Sequence, residues 1–438
     1  MHLYCVKKII LIFLTINSFR AASQLSFTSL DSLLQYASAK SVSTRISEQQ
    51  TLLAKWTKIA AIGNSVNFRN PLSFSANNNL QLPVNFIPAE AFGGPAGSYR
   101  QITLGQQYVS NFNFNPQIDI INPGNLAKIK SASVSKELTE VNNQLVRKSL
   151  SESIAAAWSN VVALQEQEII TVQSLASADS ITQICRNKEQ AGTGRRQDLN
   201  NALANGLAVA DKLNQVRTGI QQQINAIKIL CDIPSSTTVE IKPQPTNGFG
   251  VTAKPTGRLQ SMALSLQSEL AIAELKSVRG SMLPVVSLQY YEGWQKNSNT
   301  GFFDANAAWI HNRFLGLRIT MPFPPEVSRL SQSYNNKVSG RISALNSIHG
   351  QLQEEISNES LQLEYDKSLA SFNTGSEIVK LKADNYEKSL AQYEAGILPA
   401  DFLFIAFNDL LSSKLNMATA RAALEYNRQR IIINNQFK

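Results

Sequence analysis

Two stretches of this 438-residue chain contain no proline: Asn125 to Ala191, 67 residues, and Glu326 to Ala395, 70 residues. At 1.5 Å per residue, each is long enough for a continuous helix of about 100 Å. Within the first, apolar residues recur at Leu150, Ile154, Ala157, Val161 and Leu164; within the second, at Val338, Ile342, Leu345, Leu352 and Ile356. Steps of three and four residues make the seam of a coiled coil. A chain with these stretches is built around long paired helices, and the segments between them decide what the helices serve.

Four of those segments alternate. Leu72, Phe74, Ala76, Leu80 and Leu82 oppose Ser73, Ser75, Asn77, Asn79 and Gln81, and Phe112, Phe114, Ile118 and Ile120 oppose Asn111, Asn113, Asn115, Gln117 and Asp119. Val286, Leu288 and Tyr290 oppose Ser287 and Gln289, and Leu315, Leu317, Ile319 and Met321 oppose Asn312, Arg318 and Thr320. A period of two with one apolar and one polar face predicts half-buried strands. Their spans, about 71–83, 108–121, 284–294 and 309–323, suit the roughly 9 to 11 residues with which a tilted strand crosses a bilayer. Tyr290, Tyr291, Trp294, Phe302, Phe303 and Trp309 are expected to form an interfacial girdle.

The leader points the same way. Lys7 and Lys8, the apolar run Ile9 to Ile16 and Ala21-Ala22-Ser23 read as a signal peptide over residues 1–23. No later window is apolar enough for a spanning helix, so a membrane role requires strands. Four strands cannot close a barrel, and an open edge in lipid leaves unpaired backbone groups. The barrel is therefore expected to be shared: two copies give eight strands around a filled interior, whereas three give twelve around a channel.

Elements recur at offsets of about 200 residues: Pro71 and Pro284, Pro123 and Pro324, Gly192 and Gly396. The expected organisation is two repeats, 24–248 and 249–438. Each reads helix, two strands, a long helix (125–191 or 326–395), a glycine turn and a shorter helix (198–232 or 401–433). The connection 84–107 is expected to be an external loop.

Composition excludes much else. Three histidines and three cysteines, one of each within the first five residues, make a metal centre a poor expectation. No Gly-Lys pair supports a phosphate loop, and Gly93-Gly94-Pro95-Ala96-Gly97 has the wrong spacing for a dinucleotide site. The formal charge of +9 is spread without a dense basic block, which argues against nucleic acid. No catalytic constellation and no cofactor are expected. Cys185 and Cys231 lie too far along opposite arms of a hairpin to pair, and His349 is expected to pack in the helical seam.

The passage Leu315-Gly316-Leu317-Arg318-Ile319-Thr320-Met321-Pro322-Phe323 and the tips Ala191-Gly192-Thr193-Gly194-Arg195-Arg196-Gln197-Asp198 and Tyr393-Glu394-Ala395-Gly396-Ile397-Leu398-Pro399-Ala400-Asp401 carry a resemblance. With the order of elements and the duplication, the chain resembles the TolC family of outer-membrane efflux proteins over its whole length after the leader. The resemblance implies a membrane β-barrel of twelve strands shared by a homotrimer, with a long α-helical coiled-coil tunnel across the periplasm of a Gram-negative cell. It implies partners in the outer-membrane lipid, a periplasmic adaptor and an inner-membrane transporter. The hairpin tips at Gly192, Gly194 and Gly396 would meet the adaptor. Asp401 and Phe404, with Asp198 and Asn201 in the first repeat, would ring the closed entrance, with Tyr393 in the contacts that hold it. Read from the residues alone, Asp198 and Asp401 serve equally well as helix caps. Asp119 and Arg318 fall on the polar face expected to line the lumen. The competing expectation is a periplasmic or surface coiled-coil protein without a pore, its strands forming a soluble sheet.

Overall fold

The computed structural model describes residues 24–66, 72–243 and 253–437, so the leader and Pro71 lie outside the described residues. In chain order the elements are β1 (Gln24–Phe27), α1 (Leu30–Lys40), α2 (Val42–Gly63), β2 (Leu72–Asn78), β3 (Val84–Pro88), β4 (Tyr99–Thr103), β5 (Tyr108–Phe114) and β6 (Gln117–Ile121). They continue as α3 (Pro123–Gln190), α4 (Arg196–Leu230), β7 (Thr238–Ile241), α5 (Leu259–Gly280), β8 (Val285–Ser298), β9 (Trp309–Thr320), α6 (Val327–Glu394) and α7 (Ala400–Gln436). Helices α3 and α6 are each 68 residues, about 100 Å at the α-helical rise. No helix among the described residues is long and apolar enough to cross a membrane.

The chain divides into two compact units, each drawing on both repeats. The first unit covers 51–139 and 264–347 and contains the principal sheet. Strand β8 pairs with β5 and β6 on one side and β9 on the other, and β2 pairs with β5, all antiparallel. Because β5 and β6 follow each other along the same edge of β8, the sheet has four strand positions, with β2 and β9 outermost. The helices join one end of this sheet, while the connections 79–107 and 299–308 leave from the other.

Register confirms the faces read from the alternation in the half of the sheet nearest the helices. Toward the connection 299–308 the apolar face also carries Glu292, Lys296, His311 and Arg313, with Glu292 accepting from Tyr290 Oη and lying 3.0 Å from His311 Nε2. Leu317 lies opposite Leu288, which lies opposite Ile118, and Ile319 lies opposite Val286. Phe74, Phe112 and Trp294 form a row across β2, β5 and β8. On the reverse face, Ser75 meets Asn111 and Arg318 meets Ser287, which meets Asp119.

Four expectations need correction here. The segment 108–121 is two strands, because Pro116 offers no backbone N–H to the ladder, and a further irregularity falls between Asp119 and Ile121. The first strand stops at Asn78: the backbone N–H of Asn79 donates to the Gln107 carbonyl, and Leu80 is 93% exposed beyond it. The supposed loop 84–107 carries the hairpin β3–β4, with a 3-10 turn over Ala89–Phe92 between the strands and Gly93 and Gly97 at positive φ. Tyr291 leaves the expected girdle, since its odd position on β8 puts it on the polar face, opposite to Tyr290 and Trp294.

The second unit holds the short parallel sheet β1–β7, which the sequence did not suggest, and most of the described core. Phe27, Leu33, Ile154, Trp158, Ile227 and Ile433 belong to one buried cluster. The seam of α3 is thus covered within the chain, with Ile154 and Val161 at 0% exposure. The seam of α6 is not covered: Val338, Ile342, Leu345, Leu352 and Ile356 are 38–67% exposed. His349 is exposed beside them and does not pack.

Within the second unit, Asp232 holds the start of α2. Its carboxylate accepts from the Val42 backbone N–H at 2.7 Å and from Ser41 Oγ, while its own φ is +53°. Asp232→Ala should remove this cap and leave an unfavourable left-handed backbone, costing about 1 to 2 kcal/mol. The thermal midpoint of the full chain is the measurement. Asp232→Asn, which keeps an acceptor and tolerates the backbone, should recover most of the loss.

Candidate functional site

The two helical turns, Gly192 and Gly396, are built alike. Each glycine follows a long helix in the left-handed region, φ +70° and +76°, which a side chain would disfavour. Gly192 N donates to the Glu189 carbonyl and Thr193 N to that of Lys188; Gly396 N donates to Tyr393 and Ile397 N to Gln392. These pairs close the last carbonyls of α3 and α6 in the same pattern. Gly194 is required for room: a Cβ there would lie 2.9 Å from Lys188 Cβ and 3.1 Å from the Glu189 backbone N.

Arg195, which sequence reasoning left without a role, joins the acidic positions. Its guanidinium holds Asp198 through two hydrogen bonds, Nη2 to Oδ1 at 2.8 Å and Nε to Oδ2 at 3.3 Å, and lies 3.8 Å from Asp401 Oδ2. The paired carboxylate of Asp198 holds the Arg195 pKa above its ordinary value. Asp198 is 7% exposed, whereas the Asp401 side chain is 61% exposed. Neither is a cap: the cap residues of α4 and α7 are Arg195 and Pro399, without side-chain capping bonds. Both acids lie in the first turn, where the helix dipole favours negative charge.

A second contact links α3 to α6. Lys188 Nζ donates to the carbonyls of Tyr393 at 2.6 Å and Glu394 at 3.2 Å, and sits 4.7 Å from the Tyr393 ring centroid. The Tyr393 hydroxyl meets Cys185 Sγ at 3.3 Å. Burial, acting first, raises the pKa of both Cys185 and Tyr393. These groups are joined across more than 200 residues of sequence, so no local spacing announces them.

Phe404 occupies this same packing. It is 7% exposed, in one cluster with Tyr393, Ala400, Leu403 and Phe407. In this chain its ring fills the interior of the tip, and Phe402 and Ile405, at 58% and 59%, are the neighbouring apolar residues that face outward. Asn201 is exposed one turn beyond Asp198.

In the sheet unit, Asp119 is 8% exposed and accepts from Ser287 Oγ and Asn122 Nδ2, both at 2.8 Å. Arg318 is exposed on the same face. Among the described residues no cluster of three or more histidine, cysteine, aspartate and glutamate side chains could hold a metal ion.

Cys185 and Cys231 are both free and buried, and burial pushes the Cys231 thiol up to about 12. A raised thiol pKa means that the folded chain retains protons that the unfolded chain loses. Stability should therefore fall as pH rises through the ordinary thiol range near 8.5. Both thiols should resist alkylation at pH 8. Lys188→Ala should expose Cys185 alone, raising its alkylation rate roughly tenfold through loss of the charged hydrogen bonds. Equal acceleration at Cys231 would mean global loosening instead of an opened tip.

The sequence matches no protein-family model and no curated protein. Solved structures do match. The outer membrane protein VceC of Vibrio cholerae aligns over 92% of this chain and 95% of its own, with TM-score 0.70 and 16% identity. The outer-membrane channel OprN aligns over 93% and 89%, with TM-score 0.72 and 14% identity. The CmeC outer membrane channel of Campylobacter jejuni aligns over 92% and 84%, with TM-score 0.67 and 16% identity. At these identities the likeness is one of fold, and it covers the sheet and the long helices together: a barrel sheet joined to helical tunnel repeats.

Proposed function

We propose that the chain is the exit duct of an export system, in which three copies share a twelve-stranded barrel in the outer membrane of a Gram-negative bacterium. The observation that carries this is the sheet: four strand positions, one polar face, an opposite face that is apolar from Val286 to Tyr290 and from Leu315 to Ile319, and outermost strands β2 and β9 that pair with no further strand among the described residues. In lipid those edges require partners, and a polar face of Ser, Asn and Gln suits a wet interior. The exposed seam of α6 is a second surface for a neighbouring copy to cover. The fold shared with outer-membrane channels supports the same reading.

The helices all join the sheet at the end opposite to its two connections, which puts them together on one side of the membrane, in this reading the periplasmic side. Their tips at Gly192, Gly194 and Gly396 meet a periplasmic adaptor and, through it, an inner-membrane transporter, in a tripartite efflux or type I secretion system that moves small molecules or polypeptides. Asp401, exposed beside the Arg195–Asp198 pair, brings negative charge to the entrance. Transport through the duct needs no catalysis by this chain.

Fractionation and deletion test this function together. The protein should remain in the outer-membrane fraction after a carbonate wash, and its loss should sensitise cells to a toxic compound or block export of a product. Release by the wash, with export intact for the transporter that co-purifies with it, would overturn the reading.

A further inference from the structure

The polar face of the sheet carries an aromatic pair that its alternation does not require. Tyr291 and Phe314 stack across β8 and β9, with centroids 5.1 Å apart and planes at 18°. The tyrosine is fixed: its hydroxyl donates to Asn113 Oδ1 at 2.9 Å, and the ring lies over Gly293, where a Cβ would stand 2.3 Å from Tyr291 Oη. Phe314 is held on one side by that ring yet remains 48% exposed. Two residues further along the same face, Gly316 has no atom within 4 Å of the position a Cβ would take. Two further still, Arg318 is exposed and has no ion pair among the described residues. Asp119, across Ser287 from Arg318, is already engaged by Ser287 and Asn122.

An aromatic shelf, an open floor and a guanidinium thus follow one another at steps of about 7 Å along one strand face. The geometry points to a solute site for aromatic anions: a planar ring stacks on Phe314 over Gly316, and its carboxylate or sulfonate meets Arg318. Three copies would place three such sites around one lumen. This assignment rests on the reading that the polar face lines the duct, and it names the class of cargo or blocker that the duct would hold longest.

Equilibrium dialysis of the full-length protein in lipid nanodiscs, with empty nanodiscs subtracted, measures binding whether or not the pore conducts. Naphthalene-2-sulfonate should bind about tenfold more tightly than methanesulfonate or naphthalen-2-ylmethylammonium, which lack the ring or carry the opposite charge. Phe314→Ala and Arg318→Gln should each weaken it about fivefold, and Arg318→Lys should retain most of the affinity. Equal binding of the three ions, or unchanged affinity in Arg318→Gln and Phe314→Ala, would overturn the site. Binding as expected by a protein that carries no ion current would keep the site and refute the duct.

Discussion

Arginine in place of Leu317 is expected to abolish stable insertion of the protein in the outer membrane. Leu317 is 70% exposed on the apolar face, in a row with Leu288 and Ile118. A charge on a lipid-facing strand costs about 2 to 4 kcal/mol at the bilayer midplane and less toward the interfaces, and three copies would carry it together, at most roughly 6 to 12 kcal/mol per assembly. Ser75→Arg places the same side chain on the opposite face of β2 and should insert normally, altering ion selectivity only. The readout is the amount of carbonate-resistant protein in outer-membrane fractions. Equal loss in both variants, or none in Leu317→Arg, would mean that the faces are assigned the wrong way round or that no lipid touches them.

Removing the Phe404 ring should have the second large effect, by weakening the tip from within. A buried phenylalanine cut to alanine costs about 3 to 5 kcal/mol, and here the cavity would open beside Tyr393, Leu403 and Phe407. Phe404→Ala should raise resting conductance in planar bilayers and the entry of large antibiotics into cells. Phe404→Leu, which refills much of the volume, should stay near the parent. Asp401→Asn should instead lower cation preference with little change in conductance, because its side chain is exposed and contributes charge. A closed, unaltered pore in Phe404→Ala would show that the packed tip does not control the entrance.

The faces of the sheet were legible because side chains alternate strictly along a strand, so Leu315, Leu317 and Ile319 declare one side without any knowledge of their partners. The hairpin β3–β4 was not, since its strands are five residues each and Pro95, Gly93 and Gly97 dominate the segment. The clustering of aromatics at the strand ends groups Tyr291 with the girdle, but its position next to Tyr290 sets it on the other face. The apolar row Ala400, Leu403, Phe404 and Phe407 has helical spacing that marks a buried stripe, and that signal outweighs the mapping of Phe404 to a pore collar by its distance from Asp401. The contacts of Arg195 with Asp401 and of Lys188 with Tyr393 were beyond reach, because both depend on the two hairpins lying side by side.

The exposed seam of α6 and the open edges of β2 and β9 make the same demand, for further copies of the chain. The most direct measurement is the mass of the assembly extracted from outer membranes and held in detergent or nanodiscs, combined with ion current from that same preparation. Three copies of the chain in a single conducting particle is the expected result. A stable single-copy particle inserted in lipid, or a protein that needs no detergent to remain dispersed, would contradict the shared barrel.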